Sequence, residues 1–246
     1  MIRRAAFLAG ALAFLFATPA SAQEFWDKKP WREWSEKECK KMLEDSPWAK
    51  QQIFTGEFRE SGRQGISQQD SGREYIPTVT YRIQLRSAVP LRKGLVRQMM
   101  LAAKYDKMTD EQKKNFDDRA EQFLAADFSD RVIVHVTYGS NVVEDNRNLN
   151  RLWQGFPEGT VPQEAHIIRA NGKYVDPITF TPNRNTNAGE FQLVFPRLVE
   201  EQPIVTPQDK RFSFTLPHRP VHNEPDTRVL VEFKVEKMIV GGAVAF

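Results

Sequence analysis

The chain of 246 residues holds four histidines and one cysteine, so the side chains suited to metal binding or nucleophilic chemistry can be weighed one by one. His218 and His222 form an H-x-x-x-H pair, the spacing that brings two imidazoles together on a helix for zinc. Arg219, Pro220 and Val221 stand between them, with Pro217 and Pro225 outside, and proline breaks the helix that this spacing needs. The pattern predicts a solvated loop. Glu164 and His166 would share one face of a strand and are both metal-ligand types. Two residues are too few for a site, and a half-exposed strand face accounts for both. His135 lies among β-branched residues and reads as a hydrogen-bonded core histidine rather than a catalytic base.

Carboxylates occur in adjacent pairs at Asp117-Asp118, Glu144-Asp145 and Glu200-Glu201. Neighbours in sequence point to different faces in helix and strand alike, so none of these gives the opposed pair of a glycosidase. Tyr138-Gly139-Ser140-Asn141 lacks the second glycine of a nucleophile elbow and reads as a turn. The chain has no phosphate-cradling glycine loop and no Cys–His signature. The residues thus assign no catalytic, cofactor-binding or metal-ligating position and imply no cofactor. Trp31, Trp34, Trp48 and Trp153 could stack on sugar rings or dock a partner from a sheet face, although large aromatics more often fill cores.

The elements that must position these residues begin with a leader. Arg3 and Arg4 precede an apolar run from Phe7 to Ala17, Thr18-Pro19 breaks it, and Ala20-Ser21-Ala22 supplies a small-residue cleavage site. That run is 11 residues, well short of the roughly 20 needed to cross a bilayer as a helix. A secretion signal over residues 1–22 is therefore expected, by the general secretory route, with a mature chain starting at Gln23. The leader carries two of the 35 basic residues and none of the 32 acidic ones, so most of the formal charge of +3 leaves with it. A nearly neutral mature chain offers no basic stripe for nucleic acid and no polybasic membrane patch. A single cysteine also excludes an internal disulfide, so packing must hold the domain.

A Trp-rich segment follows over residues 24–34, and Ser35 with Glu38 gives a capping box for a short helix. Cys39, Met42 and Leu43 make its apolar stripe, with Trp34 placed to pack on Cys39, so the thiol is expected to be buried and inert. Asp45-Ser46-Pro47 ends the helix. The run Trp34-Ser35-x-x-Glu38-Cys39-x-x-Met42-Leu43-x-x-Ser46-Pro47-Trp48-Ala49-Lys50 resembles an element near the start of certain secreted bacterial proteins of uncharacterised function. The resemblance covers about 20 residues; it implies export and a shared first helix, and carries over no functional residue.

Beyond Lys50, a strand is predicted from Ile53 to Glu60, then a Gly/Ser/Gln-rich loop over residues 61–72. Val79, Tyr81, Ile83 and Leu85 alternate with polar residues as in a half-buried strand, which Pro90 ends. Residues 92–126 switch to helical spacing. Leu95 and Met99 mark the face of a first helix, while Thr109 to Gln112 caps a second with Phe116, Ala120, Phe123 and Leu124 inward. A central strand is predicted over residues 132–138 and a short helix from Asn148 to Trp153. A hairpin is expected around Asn171-Gly172, between strands 164–170 and 173–180, with further strands over residues 190–195, 211–216 and 229–240. The expected fold is mainly β (α+β). It is an antiparallel β-sandwich, immunoglobulin-like arrangements included, over residues 51–246, with a helical insertion near residues 92–126 and the Trp-rich segment and helix over residues 23–50. This pattern points to an exported, non-catalytic envelope or extracellular domain whose partner is another envelope protein or a glycan. A secreted hydrolase or glycan-processing enzyme, assembled only in three dimensions, is the alternative.

Overall fold

The computed structural model describes residues 24–56, 76–157, 159–184, 189–218 and 227–246. Residues 1–23, the whole of the predicted 61–72 loop, the part of the predicted Ile53–Glu60 strand beyond Gly56, and His222 lie outside the described residues. The chain is a β-rich α+β protein with antiparallel sheets, as its strand patterning implies. No helix among the described residues is long and apolar enough to cross a membrane.

The Trp-rich segment forms a single turn, α1 (Phe25–Lys28), and a 3-10 turn at Trp31–Glu33. Phe25, Trp26 and Trp31 lay their rings against the core, which spares three large aromatics from water. Helix α2 (Glu36–Glu44) opens on the expected capping box: the Ser35 hydroxyl accepts from the Glu38 N–H at 3.3 Å, and Glu38 accepts from the Ser35 N–H at 2.7 Å. Its buried stripe is Cys39, Met42 and Leu43.

Strand β1 (Ala49–Thr55) starts four residues before the predicted Ile53 and pairs with β2 (Thr78–Leu85). Pro90 does not end that strand. It occupies the first turn of α3 (Val89–Ala102), where its missing N–H has no helical partner to lose. The buried face of α3 is Leu91, Arg92, Val96 and Met100, while Met99 is 49 % exposed. The predicted face was thus rotated by one position, because two adjacent methionines fit either registration. Helix α4 (Asp110–Ala125) carries the Thr109–Gln112 capping box. The buried Arg92 guanidinium donates to the carbonyls of Phe123 at 2.7 Å and Ala126 at 3.1 Å, satisfying the end of α4 and locking the helical pair.

Strand β3 (Arg131–Ser140) runs between β2 and a later strand, the central position expected from Val132, Val134, Val136 and Tyr138 alternating with Ile133, His135 and Thr137. It includes Tyr138-Gly139-Ser140, which is strand rather than turn. Helix α5 (Val143–Gln154) begins five residues before the predicted Asn148; its first turn has no side-chain cap, so no local signal marks it. The Asn171-Gly172 hairpin forms with Gly172 at φ +79°, but joins only β4 (His166–Ile168) to β5 (Tyr174–Val175). The chain then leaves for β6 (Thr179–Pro182), β7 (Gly189–Pro196) and a small pair, β8 (Leu198–Val199) with β9 (Gln202–Pro203). Strands β10 (Arg211–His218) and β11 (Thr227–Lys234) pair along their length. The predicted last strand stops at Lys234, where a 3-10 turn (Val235–Met238) leads into β12 (Ile239–Val240) and β13 (Ala243–Val244).

One sheet has the order β1-β2-β3-β7-β6 and the other β11-β10-β4-β5. Their facing residues share one core: Phe195 meets Phe214 edge-on at 6.2 Å, and His218 stacks on Phe54 at 3.9 Å. At the margin, Gln52 of β1 joins the sheets through backbone. Its carbonyl oxygen accepts from the Leu230 N–H at 2.7 Å and its amide donates to the Arg228 carbonyl at 3.4 Å.

Candidate functional site

The structure disperses the residues that the sequence made tempting. His218 is not in a solvated loop: it ends β10, is 2 % exposed, and its Nδ1 lies 3.3 Å from the Tyr81 hydroxyl. Pro217 is tolerated there because the pairing of β10 with β4 stops at Thr215, leaving no ladder on that side to break. Burial lowers the His218 pKa. His166 pairs with Asp176 at 2.9 Å, whereas Glu164 pairs with Arg228 at 3.2 Å, so Glu164 and His166 do not act together. His135 is 3 % exposed in mid-sheet, as a core histidine should be, but the expected hydrogen bond is missing. Its Nε2 lies 3.2 Å from Glu190, yet neither ring nitrogen has an aligned partner. Burial, reinforced by the Arg86 charge, lowers its pKa to about 3. Cys39 is fully buried, and burial pushes its thiol up to about 11. Trp34, Trp48 and Trp153 are core residues at 1–2 % exposure, and Trp31 packs partly buried against the core.

Charged side chains also gather away from these residues. Three parts of the chain meet at a cleft of about 330 Å³: the Trp-rich segment with Trp26, the α2–β1 corner with Asp45 and Lys50, and the end of β11 with Lys234 and Lys237 beyond it. Lys50 is in register with Ile83, on the core side of edge strand β1, and its half-buried stem carries the ammonium outward to the cleft. Four lysines and three carboxylates line the space. Two of those carboxylates are committed: Glu24 to Lys41 at 3.0 Å, and Glu232 to Arg211 at 3.0 Å. Lys50, Lys234 and Lys237 have no ion-pair partner among the described residues, leaving three ammoniums against Asp45. Burial lowers the Lys50 pKa most; Asp45 opposes this, while Lys237 and Lys234 add to it. Three like charges around one space, one of them half-buried, form an arrangement that an incoming anion would relieve.

A second, more open cleft of about 560 Å³ lies beside the helical pair, where Lys104, Lys107 and Arg119 surround Met108 and Phe116. Its three cations are all exposed and screened by solvent, as are Lys234 and Lys237, whereas Lys50 is half-buried. The cleft holding Lys50 is the better-built site.

Sequence reading missed this cleft because its lysines come from positions 50, 234 and 237, with no spacing signature to join them. Trp26 was passed over for tryptophans that proved to be core. The chain matches no known family model, no curated protein and no solved structure.

Proposed function

We propose that the protein is an exported, non-catalytic domain of the cell envelope or its surroundings that engages a partner through the lysine cleft. The observation that carries this reading is the convergence of Lys50, Lys234 and Lys237 on one cleft beside Trp26, where Glu24 and Glu232 are held in other ion pairs and Asp45 is left to oppose them. Export rests on the leader at residues 1–22 and on the Trp34–Lys50 element that resembles secreted bacterial proteins. The state of the nucleophile and base types supports a non-catalytic role. His135 and His218 are buried with lowered pKa values and Cys39 is pushed up to about 11, so none is poised to exchange a proton near neutral pH. A hydrolase reading would be favoured by a pocket gathering His135, His166 or distant carboxylates, yet neither of the two clefts described above is lined by either histidine.

The test is co-sedimentation of the purified mature chain with isolated envelope fragments of the producing cell. The partner reading expects the wild type to co-sediment and a Lys234→Glu/Lys237→Glu variant, altered only at exposed positions, to stay in solution. Failure of the wild type to bind, or equal binding by both proteins, overturns it.

A further inference from the structure

We propose that the lysine cleft is a binding site for a phosphate-class oxyanion, presented either on an envelope glycan or as the free ion. The proposal rests on the partner-binding role given to this cleft and names the chemistry that the cleft recognises.

The cations of the cleft are all lysines. A lysine ammonium is a compact point charge with three rotatable donors, which suits a small anion approached from several directions. A planar carboxylate is better matched by the fork of arginine, and the one arginine at the margin, Arg211, is already paired with Glu232. The three uncommitted ammoniums also come from three separate elements: β1, the end of β11 and the turn after it. They converge on the space instead of forming a stripe, so a single multiply charged group can contact more than one of them. Asp45 is the remaining uncommitted carboxylate facing them; Glu24 and Glu232 face the cleft but are held by Lys41 and Arg211. This balance of three ammoniums to one carboxylate favours an anion.

Size limits the ligand further. A volume of about 330 Å³ falls at the lower end of small-molecule sites, roughly 300–1,000 Å³. It admits an oxyanion with one sugar ring, not a folded protein surface. Trp26 gives the cleft an aromatic wall, braced edge-on against Trp48 at 5.9 Å, and indole rings suit sugar faces. Behind that wall Trp48 is 1 % exposed and its indole N–H donates to the Ala245 carbonyl, and α2 ends at the cleft's corner, where Asp45, Ser46 and Pro47 line it.

The experiment is calorimetric titration of the mature protein at low salt with inorganic phosphate, glucose 1-phosphate and galacturonate. Wild type, Lys234→Glu/Lys237→Glu and Lys50→Met are compared, with a melting scan of each to establish folding. The proposal expects saturable binding of phosphate or glucose 1-phosphate at one site, weakened about tenfold or more by each variant and weakened by added salt. Tighter binding of glucose 1-phosphate than of phosphate assigns the anion to a glycan; the reverse order assigns it to the free ion. Two results overturn the proposal: phosphate binding unaffected by both variants, or preference for galacturonate. If envelope fragments still co-sediment in a lysine-dependent manner while glucose 1-phosphate fails to compete, the partner role stands and the oxyanion assignment falls. If neither occurs, both fall.

Discussion

His135 should make the protein acid-labile, and the size of the effect follows from its surroundings. An exposed histidine titrates at 6.5, whereas His135 titrates at about 3 in the folded chain because burial and Arg86 both disfavour the imidazolium. Glu190 at 3.2 Å pulls the other way, but it forms no aligned hydrogen bond with the ring and is itself partly exposed, so burial prevails. The folded pKa is depressed below the unfolded one, so as pH falls through 6.5 the unfolded chain takes up a proton that the folded chain refuses. Stability is therefore intact above pH 6.5 and is lost progressively down to about pH 3. Between pH 7.5 and pH 5 the linkage amounts to about 2 kcal/mol from this residue alone. The assay is urea unfolding of wild type and His135→Leu at both pH values. The variant keeps the volume and loses the proton site, so it should show about 2 kcal/mol less pH-dependent loss than the wild type, whatever its absolute stability. His218, also depressed by burial, adds a loss of the same sign that both proteins share. An identical pH slope in the two proteins would refute the claim that His135 is held neutral by burial.

Two further predictions concern the join of the sheets and the thiol. Gln52→Ala removes the side chain that accepts from the Leu230 N–H and should cost about 1–2 kcal/mol, read as a lower melting temperature. An unchanged melting temperature would mean that the sheets hold without this bridge. Cys39 should resist an aromatic disulfide reagent in the native state and react at once in denaturant, since its thiol is fully buried and pushed up to about 11. The protein should also run as a monomer on a non-reducing gel, and a disulfide-linked species lost in Cys39→Ser would contradict the burial.

Features encoded over three or four residues were legible in the sequence. Ser35 and Glu38, Thr109 and Gln112, and the alternation through Val79, Tyr81, Ile83 and Leu85 each carry their own hydrogen-bond or burial pattern, and each appears as read. Where two readings were locally equal, the outcome depended on tertiary packing that no short window contains. Met99 and Met100 fit either registration of α3, and Pro90 could end a strand or begin a helix. The histidine pair shows the same limit: Pro217 beside His218 does not mean solvent. Proline also fits a strand that has lost one neighbour, and so His218 came to lie stacked on Phe54 in the core.

The lysine cleft was the least legible feature because it is defined by charges left over after pairing. Lys41 looks no different in sequence from Lys50; only the fold closes an ion pair between Glu24 and the one and leaves the other facing Asp45 without one. Net charge cannot expose such a site, since the formal charge of the chain is only +3 and the imbalance is local. Its physical signature is a half-buried lysine kept near two others where the edge strands β1 and β11 meet, with Asp45 as the opposing carboxylate. A lysine used only for solubility would extend into water, where solvation is fullest and repulsion from Lys234 and Lys237 is screened. Lys50 instead takes the desolvated position beside them, and an anion shared by the three ammoniums is what would offset that cost.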